Sequence, residues 1–228
     1  MFVDRVFRVP RVWSNKELRK IAFHCSGDVV NVSGWEDRDK EGGRYRDYFV
    51  NAKSYYITNF TGWRGLQGCA NEIFLDLSVN LPEWFYRRFD TVFSHTTLEH
   101  ILDVRKALAN LCEMSKDAVI VVVPFCQAVH ESESYGDYWR FTPSCLRKLF
   151  LENGFEVVYE SETGRPNAGV YLFALATRNP ERWVVKVPRS PGAQNAGAWI
   201  GKRSAGRFLR AALRCGRPRT TRWPAAGV

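Results

Sequence analysis

The residues best suited to chemistry in this chain gather after an apolar run, Ala118 to Val123: His130, with Glu131, Glu133 and Asp137 close behind, then Tyr138, Trp139 and Arg140. Histidine is the usual side chain for taking a proton near neutral pH, and an acid beside it fixes its tautomer and supports its charged form. His130 is therefore the candidate general base and Asp137 its partner; a surface histidine merely hydrogen-bonded to Asp137 is the plainer reading. Tyr138 and Trp139 can stack on a sugar ring, and Arg140 can grip an anionic group. Equally, Trp139 can close a core and Arg140 can pair with a local carboxylate. The sequence leaves both open.

These residues need a scaffold, and the stretch Asp90 to Pro124 supplies its centre. Thr91, Val92 and Phe93 are a short apolar run ahead of a polar loop. Asp103 can cap a helix whose Val104, Leu108, Leu111 and Cys112 share a face, and Ala118 to Val123 is β-branched enough for a strand buried on both sides. A β-α-β unit of this kind calls for more parallel strands, hence an open α/β sheet. Ser14 with Glu17 has the spacing of a capping box, predicting a helix over 15–25. Strands are expected at Val29–Val32, Tyr55–Thr58, Glu72–Leu77, Glu156–Tyr159 and Val170–Ala176, with a helix opened by Thr142-Pro143 and stopped near Gly154.

In open α/β sheets ligands bind beyond the carboxyl ends of the strands. The residues there are Val32, Ser33 and Gly34, then Asn59, then Asp76 and Leu77, then Ser94 and His95, then Pro124 and Phe125. Together they can hold a nucleoside: Gly34 allows close backbone approach, Asn59 can reach ribose hydroxyls, Asp76 can accept from an adenine amino group, and His95 can line the pocket. Taken singly, each is an ordinary turn or cap residue.

The 228 residues carry a net charge of +9. Residues 180–228 hold 11 Lys and Arg against the single acid Glu181, so the rest is nearly neutral and lacks a nucleic-acid footprint of its own. The expected organisation is one domain over 1–179 and a flexible basic tail over 180–228. Phe208, Leu209, Ala212 and Leu213 fall on one side at helical spacing, and Arg203, Arg207, Arg210, Arg214 and Arg217 on the other. That pattern fits an anionic membrane surface, with a solvated basic tail as the plainer alternative and nucleic acid as a third. No apolar run is long enough to span a bilayer, and Cys25, Cys69, Cys112, Cys126, Cys145 and Cys215 lack metal or disulfide spacing. A cytoplasmic protein is expected, with the tail as its one route to the inner membrane face.

The segment LDLSVNLPEWFYRRFDTVFSHTTLEHILDVRKAL resembles the middle of a class I S-adenosylmethionine-dependent methyltransferase. The matching residues are Asp76, Leu81-Pro82, Phe89-Asp90 with Val92, Leu98-Glu99-His100 and Asp103 to Leu108. His130 followed by DYWRFTPSCLRKLFLENGFEV is similar to the branch associated with polysaccharide and surface-glycan synthesis. The resemblance, over about 25–178, implies a Rossmann-like, seven-stranded, mostly parallel sheet with helices on both faces and the last strand antiparallel. It also implies S-adenosylmethionine as cofactor and a glycan or related small molecule as methyl acceptor. Two departures bear on the site. The family's GxGxG loop reads here Val32-Ser33-Gly34-Trp35-Glu36, and its ribose-binding acid falls at Asn59. A non-catalytic relative, serving assembly or regulation, is therefore the rival expectation. The acids Glu36, Asp37 and Asp39 can stand in for the missing one, although a solvated loop is their ordinary place.

Overall fold

The structure, a computed structural model, describes residues 3–62, 65–127, 129–163 and 170–190, and only the backbone of 3–9. The basic tail from 191 onward, with its Arg203 to Arg217 pattern and Cys215, lies outside the described residues.

The chain runs α1 (Val3–Ala22), β1 (Gly27–Val32), β2 (Ala52–Asn59), β3 (Glu72–Phe74), β4 (Phe89–His95), α2 (Val104–Met114), β5 (Ser115–Pro124), α3 (Pro143–Glu152), β6 (Glu156–Glu162), β7 (Tyr171–Thr177) and α4 (Pro180–Val184). The seven strands form one sheet in the order β3-β2-β1-β4-β5-β7-β6. β7 alone runs against its neighbours, pairing antiparallel with both β5 and β6. The expected Rossmann-like sheet with a reversed last strand is therefore present. Its central crevice lies between β1 and β4, where the chain stops winding toward β3 and turns toward β6.

Alternation along the buried strands separates two cores. Val119, Val121 and Val123 of β5 join Val30, Val32, Val92 and the apolar faces of α2 and α3 on one side. Ala118, Ile120 and Val122 join Leu18 and Ile21 of α1, Tyr45, Phe49 and Trp183 on the other. Both-sided burial is why this strand reads as a continuous β-branched run.

Local signals set two helix starts. Asp103 accepts from the Lys106 amide at 3.0 Å, and Thr142 accepts from the Cys145 amide at 3.2 Å with Pro143 in the first turn. The capping-box reading of Ser14 and Glu17 fails. α1 already begins at Val3 and carries Pro10 within it, so Ser14 sits in mid-helix. β3 is also shorter than expected, closing at Phe74. Residues beyond 179 still pack on the sheet. Trp183 of α4 is 1% exposed, and the Ser190 hydroxyl donates to the Glu160 carbonyl at 2.6 Å. No helix among the described residues is long and apolar enough to cross a membrane.

Candidate active site

The loop after β1 is held in an uncommon backbone. Ser33, Trp35, Asp37 and Lys40 all have positive φ without being glycine, and so does Thr96 after β4. These five are most of the seven such residues described, and a β-branched residue like Thr96 is a true outlier there. Several contacts pin the loop. The Trp35 amide donates to Asn59 Oδ1 at 2.7 Å, and Asn59 Nδ2 donates to the Trp35 carbonyl at 3.2 Å and to Glu72 at 2.6 Å. Asp37 accepts from Asn31, the Tyr55 hydroxyl and the Arg46 amide. Asp39 accepts from the amides of Glu41 and Gly43 and from the Tyr48 hydroxyl. Asp37 and Asp39 are both buried, which corrects the expectation of a solvated acidic loop; Glu36 instead meets Arg38 at the surface. Burial raises the Asp37 carboxyl above its usual range, and its three donors only partly offset this.

Of the residues expected to meet a nucleoside, several are committed elsewhere. Asn59 is 2% exposed, with both amide atoms used on the Trp35 backbone and Glu72. A Cβ at Gly34 would meet the Asn31 side chain at 2.7 Å, so packing within the chain already explains that glycine. Val32, Leu77 and Ser94 are buried within the fold. Ser33 is exposed, and Asp76 is half-buried. Asp76 uses Oδ1 on the amide and hydroxyl of Ser78, while Oδ2 has no hydrogen bond among the described residues.

His95 ends β4 inside a polar knot that no local pattern announces. Arg11 Nη1 lies 2.8 Å from His95 Nδ1, and Ser14 Oγ lies 2.8 Å from Nε2. A guanidinium can only donate, so Nδ1 bears the lone pair and Nε2 carries the proton toward Ser14. The Ser14 hydroxyl then donates to the Arg11 carbonyl at 2.8 Å. Burial first, then the Arg11 charge, lowers the His95 pKa well below its ordinary value. Tyr45 and Tyr171 pack their rings beside this imidazole.

The second group is brought together around Glu99. Asp137 Oδ2 lies 3.1 Å from His130 Nδ1 and accepts the His130 amide at 2.9 Å, while Arg140 grips both oxygens of Asp137 at 2.6 Å. Those Arg140 hydrogen bonds hold the Asp137 carboxyl down at about 2. Arg140 is thus paired with a local carboxylate, the plainer of its two expected roles. The Trp139 indole donates to the carbonyls of Ile101 and Leu102, and the Tyr138 amide donates to the Glu99 carbonyl. Trp139 and Tyr138 nonetheless stay open to solvent, at 37% and 52% exposure, so surface for a partner survives. His100 directs Nδ1 at the Gly136 carbonyl, 2.6 Å away, and its ring lies edge to face with His130. Glu99 is fully buried, neither carboxylate oxygen has a hydrogen-bond partner among the described residues, and burial pushes its carboxyl up to about 8. Arg11, Ser14, Tyr45 and Glu99 were not among the expected site residues. Only Glu99 left a trace, as the middle letter of LEH.

No protein-family model matches the sequence, and no curated protein matches it. Solved structures do. A 1,6-didemethyltoxoflavin-N1-methyltransferase of Burkholderia thailandensis, solved with that compound and S-adenosylhomocysteine, superposes with a TM-score of 0.51 at 18% identity, over 73% of this chain and 80% of that one. The magnesium protoporphyrin IX methyltransferase of Synechocystis PCC 6803, with S-adenosylhomocysteine bound, gives 0.52 at 12% identity over 76% and 87%. The chain has the class I methyltransferase fold. At these identities the likeness is one of architecture, and a fold of this type hosts more than one chemistry.

Proposed function

We propose that this chain is an S-adenosylmethionine-dependent methyltransferase acting on a hydroxyl of a glycan or related small molecule. The observation that carries the reading is the strained backbone beyond β1 and β4, at the point where the sheet changes winding direction. Strain of this kind persists where a site needs it, and this crevice is where such sheets take their ligands. The residues there fit the cofactor. Backbone at Ser33 to Trp35 would meet its amino-acid end, and the open oxygen of Asp76 would accept from its adenine amino group. Asn59 is better assigned to holding the Trp35 loop than to the ribose. When bound, the cofactor supplies an electrophilic methyl group on a sulfonium. The chain's own task is to align the acceptor, exclude water and draw off its proton. His130, oriented by Asp137, is the group for that, with the exposed Tyr138 and Trp139 beside it for a sugar ring.

A second reading, a non-catalytic module that keeps the sheet, is favoured by one observation: both amide atoms of Asn59 are already committed to the chain itself. Calorimetric titration of the full chain with S-adenosylhomocysteine separates the two. Saturable binding is expected, and Asp76→Ala should weaken it by about 5- to 150-fold, the loss of one buried hydrogen-bond partner. No binding would support the module, and unchanged affinity in a folded Asp76→Ala would remove that residue from the site. A labelled-methyl screen against sugar hydroxyls then tests the acceptor class.

A further inference from the structure

We propose that Glu99, His100 and His130 form a binding site for a divalent ion of the zinc, manganese or cobalt kind. Each offers a ligand atom, and all three atoms lie within 4.8 Å of one another. His100 Nε2 and Glu99 Oε1 are 3.9 Å apart. An ion with bonds of about 2.1 Å sets its ligands roughly 3.4 Å apart in a tetrahedron, so the cluster must close by about an ångström. Side-chain rotation can supply that.

Three features point to an ion rather than to chance proximity. Glu99 is 0% exposed, yet both its oxygens lack a hydrogen-bond partner among the described residues. A buried acceptor left so is costly unless something absent from the chain completes it. His100 has its Nδ1 on the Gly136 carbonyl, which puts the proton there and the lone pair at Nε2, toward Glu99. A lone pair facing a carboxyl oxygen 3.9 Å away leaves a place for a positive centre between them. His130 in turn has Nδ1 on Asp137, itself clamped by Arg140. Both imidazoles therefore carry the outer hydrogen bond that metal-bound histidines almost always have, one to a carbonyl and one to a carboxylate.

Two imidazoles and a carboxylate are a borderline donor set that suits zinc, manganese or cobalt better than calcium or magnesium. Three protein ligands leave positions open, as at catalytic ions. The consequence for activity rests on the methyltransferase reading; the site itself does not. An ion held there would acidify an acceptor hydroxyl at an open position, whose proton would leave to bulk solvent before transfer. The acceptor oxygen then bonds the methyl carbon as the sulfur–carbon bond breaks, leaving a neutral thioether. His130 in this arrangement acts through the ion instead of taking the proton itself.

The test uses the full chain, stripped with a chelator and titrated separately with Zn²⁺, Mn²⁺ and Co²⁺, read by calorimetry and, for cobalt, by visible absorption. About one ion per chain is expected. Glu99→Gln, which keeps size and shape, and His130→Asn should each weaken binding by about 100-fold, and Asp137→Asn by about 10- to 100-fold through the outer hydrogen bond. Circular dichroism checks that the variants fold. Absence of stoichiometric binding, or an affinity unmoved by Glu99→Gln, would overturn the site. S-adenosylhomocysteine titrated into the same samples keeps the readings apart. Ion without cofactor binding fails only the methyltransferase reading, and cofactor without ion fails only this one.

Discussion

His95 shows what single residues hold here and how little of it a sequence displays. Its position after β4 was legible, because an apolar run ending in Ser-His marks a strand end. Its partners were not: Arg11 and Ser14 are 84 and 81 residues away. The same holds for Asn59, whose site was readable while its grip on Trp35 depended on how a distant loop folds back. The His95 tautomer makes a prediction. Folding holds this imidazole neutral well below its ordinary pKa, through burial and then Arg11, whereas the unfolded chain protonates it near 6.5. Below that pH the unfolded state binds more protons, so stability falls as pH drops from about 6.5 toward the folded value. His95→Gln keeps one acceptor and one donor without titrating. Wild type should lose roughly 5 °C in Tm between pH 7 and pH 5 that the variant does not lose. Parallel melting curves for the two proteins would remove His95 as the source.

Among the elements, strands buried on both faces and helices with side-chain caps were readable from the sequence, since their signals lie within a turn or two of the residue concerned. Asp103 and Thr142 cap as their spacing predicts. Ser14 and Glu17 show the same local spacing and do something else. Ser14 turns to His95, and Glu17 accepts from the Tyr159 hydroxyl of β6, so tertiary partners override the motif. α4 was missed altogether, being five residues long and built on one buried acid. Asp117 of β5 accepts from Thr177, Asn179, Arg182 and the Trp183 indole. This knot fastens α4 to the sheet. Asp117→Ala would strand the buried indole N–H and release several donors at once. A loss of about 2–4 kcal/mol is expected, some 5–15 °C in Tm for a domain of this size. A change within a degree or two would mean that apolar packing of Trp183 alone holds the helix.

For the whole molecule, charge divides the chain more sharply than packing does. Residues 191–228 carry eight Lys and Arg and no acid, a charge of +8, while residues 1–190 hold 25 Lys and Arg against 24 acids, a charge of +1. A near-neutral domain has little pull on an anionic surface, so any strong attraction must come through the tail. Counted at helical spacing, Phe208, Leu209, Ala212 and Leu213 share one side and five arginines from Arg203 to Arg217 the other. An arginine close to such a surface contributes about 1 kcal/mol, and the attraction weakens within a Debye length as salt rises. The packed position of Ser190 on β6 sets where a truncation leaves the domain whole. Full-length chain and a version ending at Ser190 should therefore differ in co-sedimentation with phosphatidylserine-containing vesicles. The long form should pellet at low salt, release at high salt and ignore neutral vesicles, while the short form stays in solution throughout. Equal pelleting of both forms would rule the tail out as the anchor. Retention of neither would leave these cations for solvent or for nucleic acid, which a competition with RNA would then resolve.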